Sequence, residues 1–146
     1  ERILTVASII EKEARYADDF YKVSRVIENR LDPAISDTDG LLQMDSTAQY
    51  PFQDREGGTS SRAEELEDDN GWNTYKKKGL PVTPIANPGE LAMKAALEPA
   101  DGPWQYFVTV NLETGETVFS ATFAEHEKAV AQYQQWCRDN PDGGCS

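Results

Sequence analysis

Near the start of the chain apolar residues recur at Ile3, Val6, Ala7, Ile10 and Ala14, the spacing of one face of a helix. Leu4 and Ile9 fall outside that stripe, so only Thr5, Ser8 and Lys12 remain to form a polar strip. A helix that is apolar on nearly every side offers water no face and has to be packed round by the rest of the fold. The pattern therefore predicts a buried helix over residues 3–15. It closes with Glu11-Lys12-Glu13, which brings two carboxylates to the edge of a core.

The remaining segments read as walls for that helix. Asp18-Asp19 open a second helix whose Phe20, Val23, Ile27 and Leu31 lie on one face, and Pro33 stops it. Ser36-Asp37-Thr38-Asp39-Gly40 has turn chemistry, Leu41-Leu42-Gln43-Met44 is extended or irregular, and a short helix is predicted from Ser46 to Tyr50. Residues 51–71 are polar and acidic and read as a surface loop, with Ser61 and Glu64 spaced as a capping box for a brief helix. Pro84-Ile85-Ala86-Asn87-Pro88-Gly89 is a rigid loop, and Glu90 to Glu98 an Ala-rich helix with Leu91, Ala95 and Leu97 as its apolar residues. Two strands, Tyr106-Phe107-Val108-Thr109-Val110 and Thr117-Val118-Phe119-Ser120, form a hairpin. Thr122 and Glu125 cap a last helix that carries His126, Val130, Tyr133 and Cys137 on one stripe, and residues 139–146 are a tail. Helices, a loop-rich middle, a hairpin and a helix in that order predict an α+β fold.

Composition narrows the function. A chain of 146 residues fits one domain, here 1–146, with enough length for a core of its own. The net charge of −12 and a single basic cluster, Lys76-Lys77-Lys78, argue against nucleic acid and against anionic lipid as partners. No apolar run is long enough to span a membrane, and a start at Glu1-Arg2 without an initiator Met reads as a domain excised from a longer protein. One His and two distant Cys leave no metal site, and His126 on the inward stripe of a capped helix reads as a core histidine satisfied by a hydrogen bond. Cys137 and Cys145 flank a Pro-Asp-Gly-Gly turn. They are either a disulfide suited to an oxidising compartment or two free thiols in the tail.

Carboxylates are then the natural catalysts, and an acid working near neutral pH needs burial to raise its pKa. Glu11 and Glu13 satisfy that by position, on opposite shoulders of the apolar stripe. A helical wheel separates their distances from its centre by only about 20°, which leaves the choice between them open.

Ala7-Ser8-Ile9-Ile10-Glu11-Lys12-Glu13 resembles the signature of the endolytic murein transglycosylases of the MltG/YceG-like family. In the same order come Val26-Ile27-Glu28-Asn29-Arg30-Leu31, Leu42-Gln43-Met44-Asp45-Ser46-Thr47, Asn73-Thr74-Tyr75, Gly79-Leu80-Pro81, Pro84-Ile85-Ala86-Asn87-Pro88-Gly89, Ala95-Ala96, Tyr106-Phe107-Val108, Phe119 and Glu125-His126. The resemblance implies a catalytic domain that cuts the β-1,4 bond from N-acetylmuramic acid to N-acetylglucosamine and leaves a 1,6-anhydro end. It implies that Glu13 is the catalytic residue, with no cofactor and no metal. Gln43, Asp45, Asn73, Tyr75, Asn29 and Glu125 become the supporting or substrate-binding residues, and Trp72 and Asn87 further candidates. It also implies peptidoglycan glycan strands as substrate and cell-wall synthases as partners. The expected place of action is the extracytoplasmic face of the bacterial cell membrane, reached through an anchor outside these residues. In that setting a Cys137–Cys145 disulfide is the better fit of the two readings. Ala14 departs from the family pattern, in which Ser or Thr often follows the catalytic Glu. Two other functions stay open: a non-catalytic glycan-binding domain, and a hydrolase using Glu13 and Asp45 together.

Overall fold

A computed structural model describes residues 1–53 and 62–145. Among them are six α-helices, a turn of 3₁₀ helix and one two-stranded antiparallel sheet, an α+β arrangement. The helices are α1 (Arg2–Glu13), α2 (Ala17–Leu31), α3 (Asp45–Gln49), α4 (Arg62–Glu67), α5 (Glu90–Leu97) and α6 (Phe123–Asp139). The strands are β1 (Tyr106–Asn111) and β2 (Glu116–Ser120), and the 3₁₀ turn is Tyr50–Phe52.

Helix α1 is the centre of the core. Val6, Ala7, Ile9 and Ile10 have no exposed surface, and α2, α3 and α5 pack against them. Of the expected polar strip, Thr5 and Ser8 are buried as well, while Lys12 is exposed. Thr5 Oγ1 donates to Glu1 O at 3.0 Å, and Ser8 Oγ donates to Thr5 O at 2.7 Å while accepting from Ile85 N at 3.0 Å. Short hydroxyl side chains can use carbonyls of their own helix, so burial costs them little. Leu4, by contrast, is exposed.

Helix α2 starts one residue before Asp18, which puts Asp18 and Asp19 in its first turn, where the helix dipole favours negative charge. It ends at Leu31, and Asp32 takes an extended conformation ahead of Pro33. The middle of the chain adds Leu42, Met44 and Ile85 to the core. Helix α5 turns its alanines inward: Ala92, Ala95 and Ala96 are buried, while Leu97 is 64 % exposed and Leu91 faces water too. Of Leu91, Ala95 and Leu97, the apolar residues named for this helix, only Ala95 is buried. Small side chains let the backbone of α5 lie close to α1.

The hairpin pairs Tyr106 with Ser120 and Val108 with Val118, and a bulge near Val110 brings Asn111 opposite Glu116. Gly115 closes the turn at φ 77°, and a Cβ there would come within 2.3 Å of the Tyr16 ring. Glycine is required by both the left-handed backbone and the contact. Thr122 Oγ1 accepts from Glu125 N at 3.2 Å, whereas the Glu125 carboxylate reaches past Thr122 to Ala121 N at 3.4 Å. Cys137 and Cys145 are joined by a disulfide that ties residues 139–145 back to α6.

The acidic surface segment is not wholly irregular, since α4 lies within it. Of the proposed capping box, Ser61 lies outside the described residues. Each lysine of the basic cluster is held by a carboxylate: Lys76 by Glu67 at 3.1 Å, Lys77 by Asp69 at 2.9 Å and Lys78 by Asp39 at 2.8 Å. No helix among the described residues is long and apolar enough to cross a membrane.

Candidate active site

Two residues apart on α1, Glu11 and Glu13 point to opposite sides, and the structure gives them different surroundings. Glu11 Oε1 accepts from Gly89 N at 2.6 Å and so holds the start of α5. Glu13 is the last residue of α1; Ala14 turns extended at φ −95° and ψ 147°, its N–H still bonded to Ile10 O at 2.9 Å. Replacing Glu11 by Gln is expected to cost about 1 kcal/mol in stability, the worth of a charge-assisted cap, and to leave cleavage of substrate at normal rate. Thermal melting and an activity assay on the same variant check both halves.

The segment that faces Glu13 is Leu42 to Thr47, and its geometry follows from its sequence. The Leu42 side chain is fully buried, and its carbonyl accepts from Arg30 Nη1. Gln43 then adopts a left-handed backbone at φ 54°, uncommon for a side chain of its size, and reverses the chain. Thr74 secures the reversal: its carbonyl accepts from Gln43 N at 3.1 Å and its hydroxyl accepts from Met44 N at 3.0 Å. Thr47 Oγ1 bonds Met44 O at 2.7 Å and shares a hydrogen bond with Thr74 Oγ1 at 2.7 Å. The first turn of α3 is thereby aimed at the catalytic candidate, and Ser46 N donates to Glu13 Oε2 at 3.1 Å.

Glu13 is half-buried as a residue, with its carboxyl largely enclosed by protein and the open side facing two clefts. Burial pushes its pKa above the usual carboxylate range, and the Asp45 charge adds to the rise. The Ser46 dipoles and the Arg30 cation oppose it without cancelling it. The Ser46 hydroxyl is itself buried and, among the described residues, makes no hydrogen bond of ordinary geometry. One cleft, of about 400 Å³, is lined by Lys12, Gln49, Phe52, Gln53, Glu65 and Ile85, with Ser46 at its wall. The other, of about 270 Å³, is lined by Arg30, Gln43, Tyr75, Phe107 and His126. Glu13 and Asp45 belong to both, so the two clefts meet at the carboxyls. Among the described residues no cluster of His, Cys, Asp or Glu is arranged to hold a metal ion.

The structure thus brings Gln43, Asp45 and Tyr75 to Glu13, and the Tyr75 hydroxyl donates to Asp45 Oδ1. Three other expected site residues are placed elsewhere. Asn73 is fully buried; its amide donates to the carbonyls of Glu65, Leu66 and Asp68 at 3.3, 3.0 and 2.7 Å, and its oxygen accepts from Tyr75 N at 3.0 Å. It anchors the end of α4 and has no amide atom left for a sugar. Asn29 donates to Gly102 O at 3.0 Å and Trp104 O at 2.9 Å, which ties α2 to the approach to β1. Glu125 is exposed at the start of α6, away from both clefts. Trp72 tilts against Tyr50 with ring centres 5.8 Å apart and is not in a cleft wall, and Asn87 is exposed.

His126 differs from its expected role. It does not sit in the core with a satisfied side chain: the ring is half-buried and stacks on Tyr106 at 5.0 Å, and among the described residues Nδ1 is sealed without a hydrogen-bond partner. Ser46, Arg30 and His126 were the members of the site hardest to find from sequence. Their signal was adjacency to Asp45, Asn29 and Glu125 in the ordered motifs.

Known proteins share the sequence and the fold of this chain. The chain matches the YceG-like family over residues 1–132. It is 38% identical over 134 residues to the endolytic murein transglycosylase of Bacillus subtilis (strain 168), an alignment covering 90% of this chain and 34% of that protein. With the endolytic murein transglycosylase of Streptococcus pneumoniae serotype 2 (strain D39) it shares 27% identity over 135 residues, 90% of this chain and 23% of the other. The crystal structure of a YceG-like protein from Listeria monocytogenes superposes with a TM-score of 0.73 at 39% identity, over 86% of this chain and 38% of that one. The chain therefore spans about a third or less of the length of these curated relatives. It belongs to the YceG-like family.

Proposed function

We propose that this chain is the catalytic domain of an endolytic peptidoglycan lytic transglycosylase, acting outside the cytoplasm on glycan strands, with Glu13 as its acid and base. The observation that carries the reading is a single enclosed carboxyl, held above the usual carboxylate pKa, at the meeting point of two clefts. A strand lying across both would place a sugar on either side of Glu13, as cleavage within a chain requires.

The chemistry needs one such group. Neutral Glu13 gives its proton to the oxygen that links the two sugars, and the bond from that oxygen to C1 breaks. The C6 hydroxyl of the same sugar attacks C1 and returns its proton to the Glu13 carboxylate, so no water is consumed. Attack within one sugar ring has the high effective concentration of an intramolecular reaction. Ser46 N donates to Glu13 Oε2 and steadies the carboxylate between the two steps. A membrane anchor beyond these residues and cell-wall synthases as partners belong to the same proposal.

Asp45, beside Glu13 in both clefts, favours a second reading in which it serves as base or nucleophile for hydrolysis. Mass spectrometry of digested strands separates the readings. The lyase yields ends lighter by one water than reducing ends, the hydrolase yields reducing ends, and a binding domain yields no cleavage. The lyase reading also sets a pH dependence. Glu13 must start protonated, so cleavage is expected to fall as pH rises through its raised pKa, and a rate that kept climbing with pH would contradict the role.

A further inference from the structure

The first turn of α3 brings two donors of one residue to Glu13, and only one of them is bonded. Among the described residues Ser46 N is the only group that hydrogen-bonds to the Glu13 carboxyl, at Oε2 and 3.1 Å. The hydroxyl of the same serine is buried and has no hydrogen-bond partner among those residues. A buried hydroxyl left in that state is costly, and neighbouring hydroxyls avoid it. Thr5 and Ser8 bond carbonyls one turn back, and Thr47 bonds Met44 O and Thr74. Ser46 is the second residue of α3, so the carbonyl four residues back, Leu42 O, precedes the helix, and it accepts from Arg30. Only Cα and Cβ separate the nitrogen of a serine from its hydroxyl, so a carboxyl held by the first is within reach of the second.

The charges round Glu13 point the same way. Burial raises its pKa, and of the groups that oppose the rise the Ser46 hydroxyl comes first, ahead of the Ser46 N–H and of Arg30. The other groups facing Glu13 are engaged elsewhere or stand in the cleft walls. Asp45 on α3 accepts from Tyr75, and Arg30 on α2 donates to Gln105 O and Leu42 O. Lys12 on α1 and Glu65 on α4 line the larger cleft, and His126 on α6 the smaller.

We propose that Ser46 is a positioning residue for Glu13, its hydroxyl turning to donate to the carboxylate once the acid has given up its proton and turning away when the proton returns. A hydrogen bond to a charged group is stronger than one to a neutral group, so the hydroxyl favours the ionised form that the first half of the reaction leaves behind. A donor aimed at developing charge in an enclosed site is worth more than in water. The inference rests on the reading of Glu13 as acid and base, but the titration of Glu13 tests it without any cleavage.

Ser46→Ala removes the hydroxyl and keeps the N–H and a good helix former. Glutamates labelled with carbon-13 at the carboxyl let NMR follow Glu13, whose signal is the one missing from Glu13→Gln. In Ser46→Ala the Glu13 titration is expected to move to higher pH, and Ser46→Thr, which keeps a hydroxyl, to bring it back toward the parent. Cleavage of glycan strands by Ser46→Ala is expected to persist to higher pH, with a rate on the acid side lower by about tenfold, the worth of one hydrogen bond to a charged group. An unmoved titration in Ser46→Ala, the same titration in Ser46→Ala and Ser46→Thr, or a rate lowered equally at every pH would each overturn the role. A titration that moves as expected in a protein whose wild type cuts no strands would uphold the pair and count instead against the proposed function.

Discussion

Replacing Glu13 by Gln is expected to abolish strand cleavage while leaving the fold in place. A Gln side chain fills the same space and can still accept from Ser46 N, but it has no proton to give the departing oxygen. Loss of a general acid lowers rates by about 10²–10⁴, and here the same group also takes back the proton, so the upper end of that range is expected. The stability of the variant is a separate check with a definite sign. Because the folded-state pKa of Glu13 is raised, the fold holds that proton more tightly than the unfolded chain does. Its contribution is fully present below the ordinary carboxylate pKa and is lost as pH rises through the raised value. At neutral pH the Gln variant, which escapes that loss, should melt at or above the wild type, and the difference should close in acid. A variant that cleaved strands at normal rate would remove Glu13 from the mechanism.

The second large effect belongs to stability. Asn73→Ala removes one side chain that serves three carbonyls and the N–H of Tyr75 in a fully buried place. Groups left without partners each cost about 1–3 kcal/mol, and some of these regain water near α4, so a loss of about 3 kcal/mol is expected. The midpoint of urea unfolding reads it directly. Activity should fall less steeply, through a loosened Tyr75 that no longer holds Asp45 firmly. A shift below about 1 kcal/mol would mean that Asn73 is not the anchor described, since even one lost buried hydrogen bond costs that much.

What could be read from sequence divides along physical lines. The burial of α1 was legible because its apolar spacing leaves no wet face, and α+β followed from the order of elements. Thr5 and Ser8 do not interrupt that burial, because hydroxyls bonded within their own turn can be buried at little cost. The inward face of α5 is alanine rather than leucine because a close approach to α1 rewards small side chains, a demand set by the neighbour and invisible in the segment itself. Glu11 and Glu13 could not be separated from spacing, because the choice depends on what stands opposite: Gly89 for one, Ser46 for the other. Asn73 and Asn29 have the chemistry of sugar ligands, yet carbonyls brought from elsewhere in the chain occupy them. His126 was placed on the right stripe, but its missing hydrogen bond is a property of the cleft.

The central claim is that Glu13 breaks the glycosidic bond without water. It is tested most directly by digesting glycan strands in heavy-oxygen water and weighing the new ends. The account predicts anhydro ends that carry no heavy oxygen, made by the wild type and absent with Glu13→Gln. Reducing ends with one heavy oxygen per cut would contradict it and hand the second role to Asp45 and a water molecule.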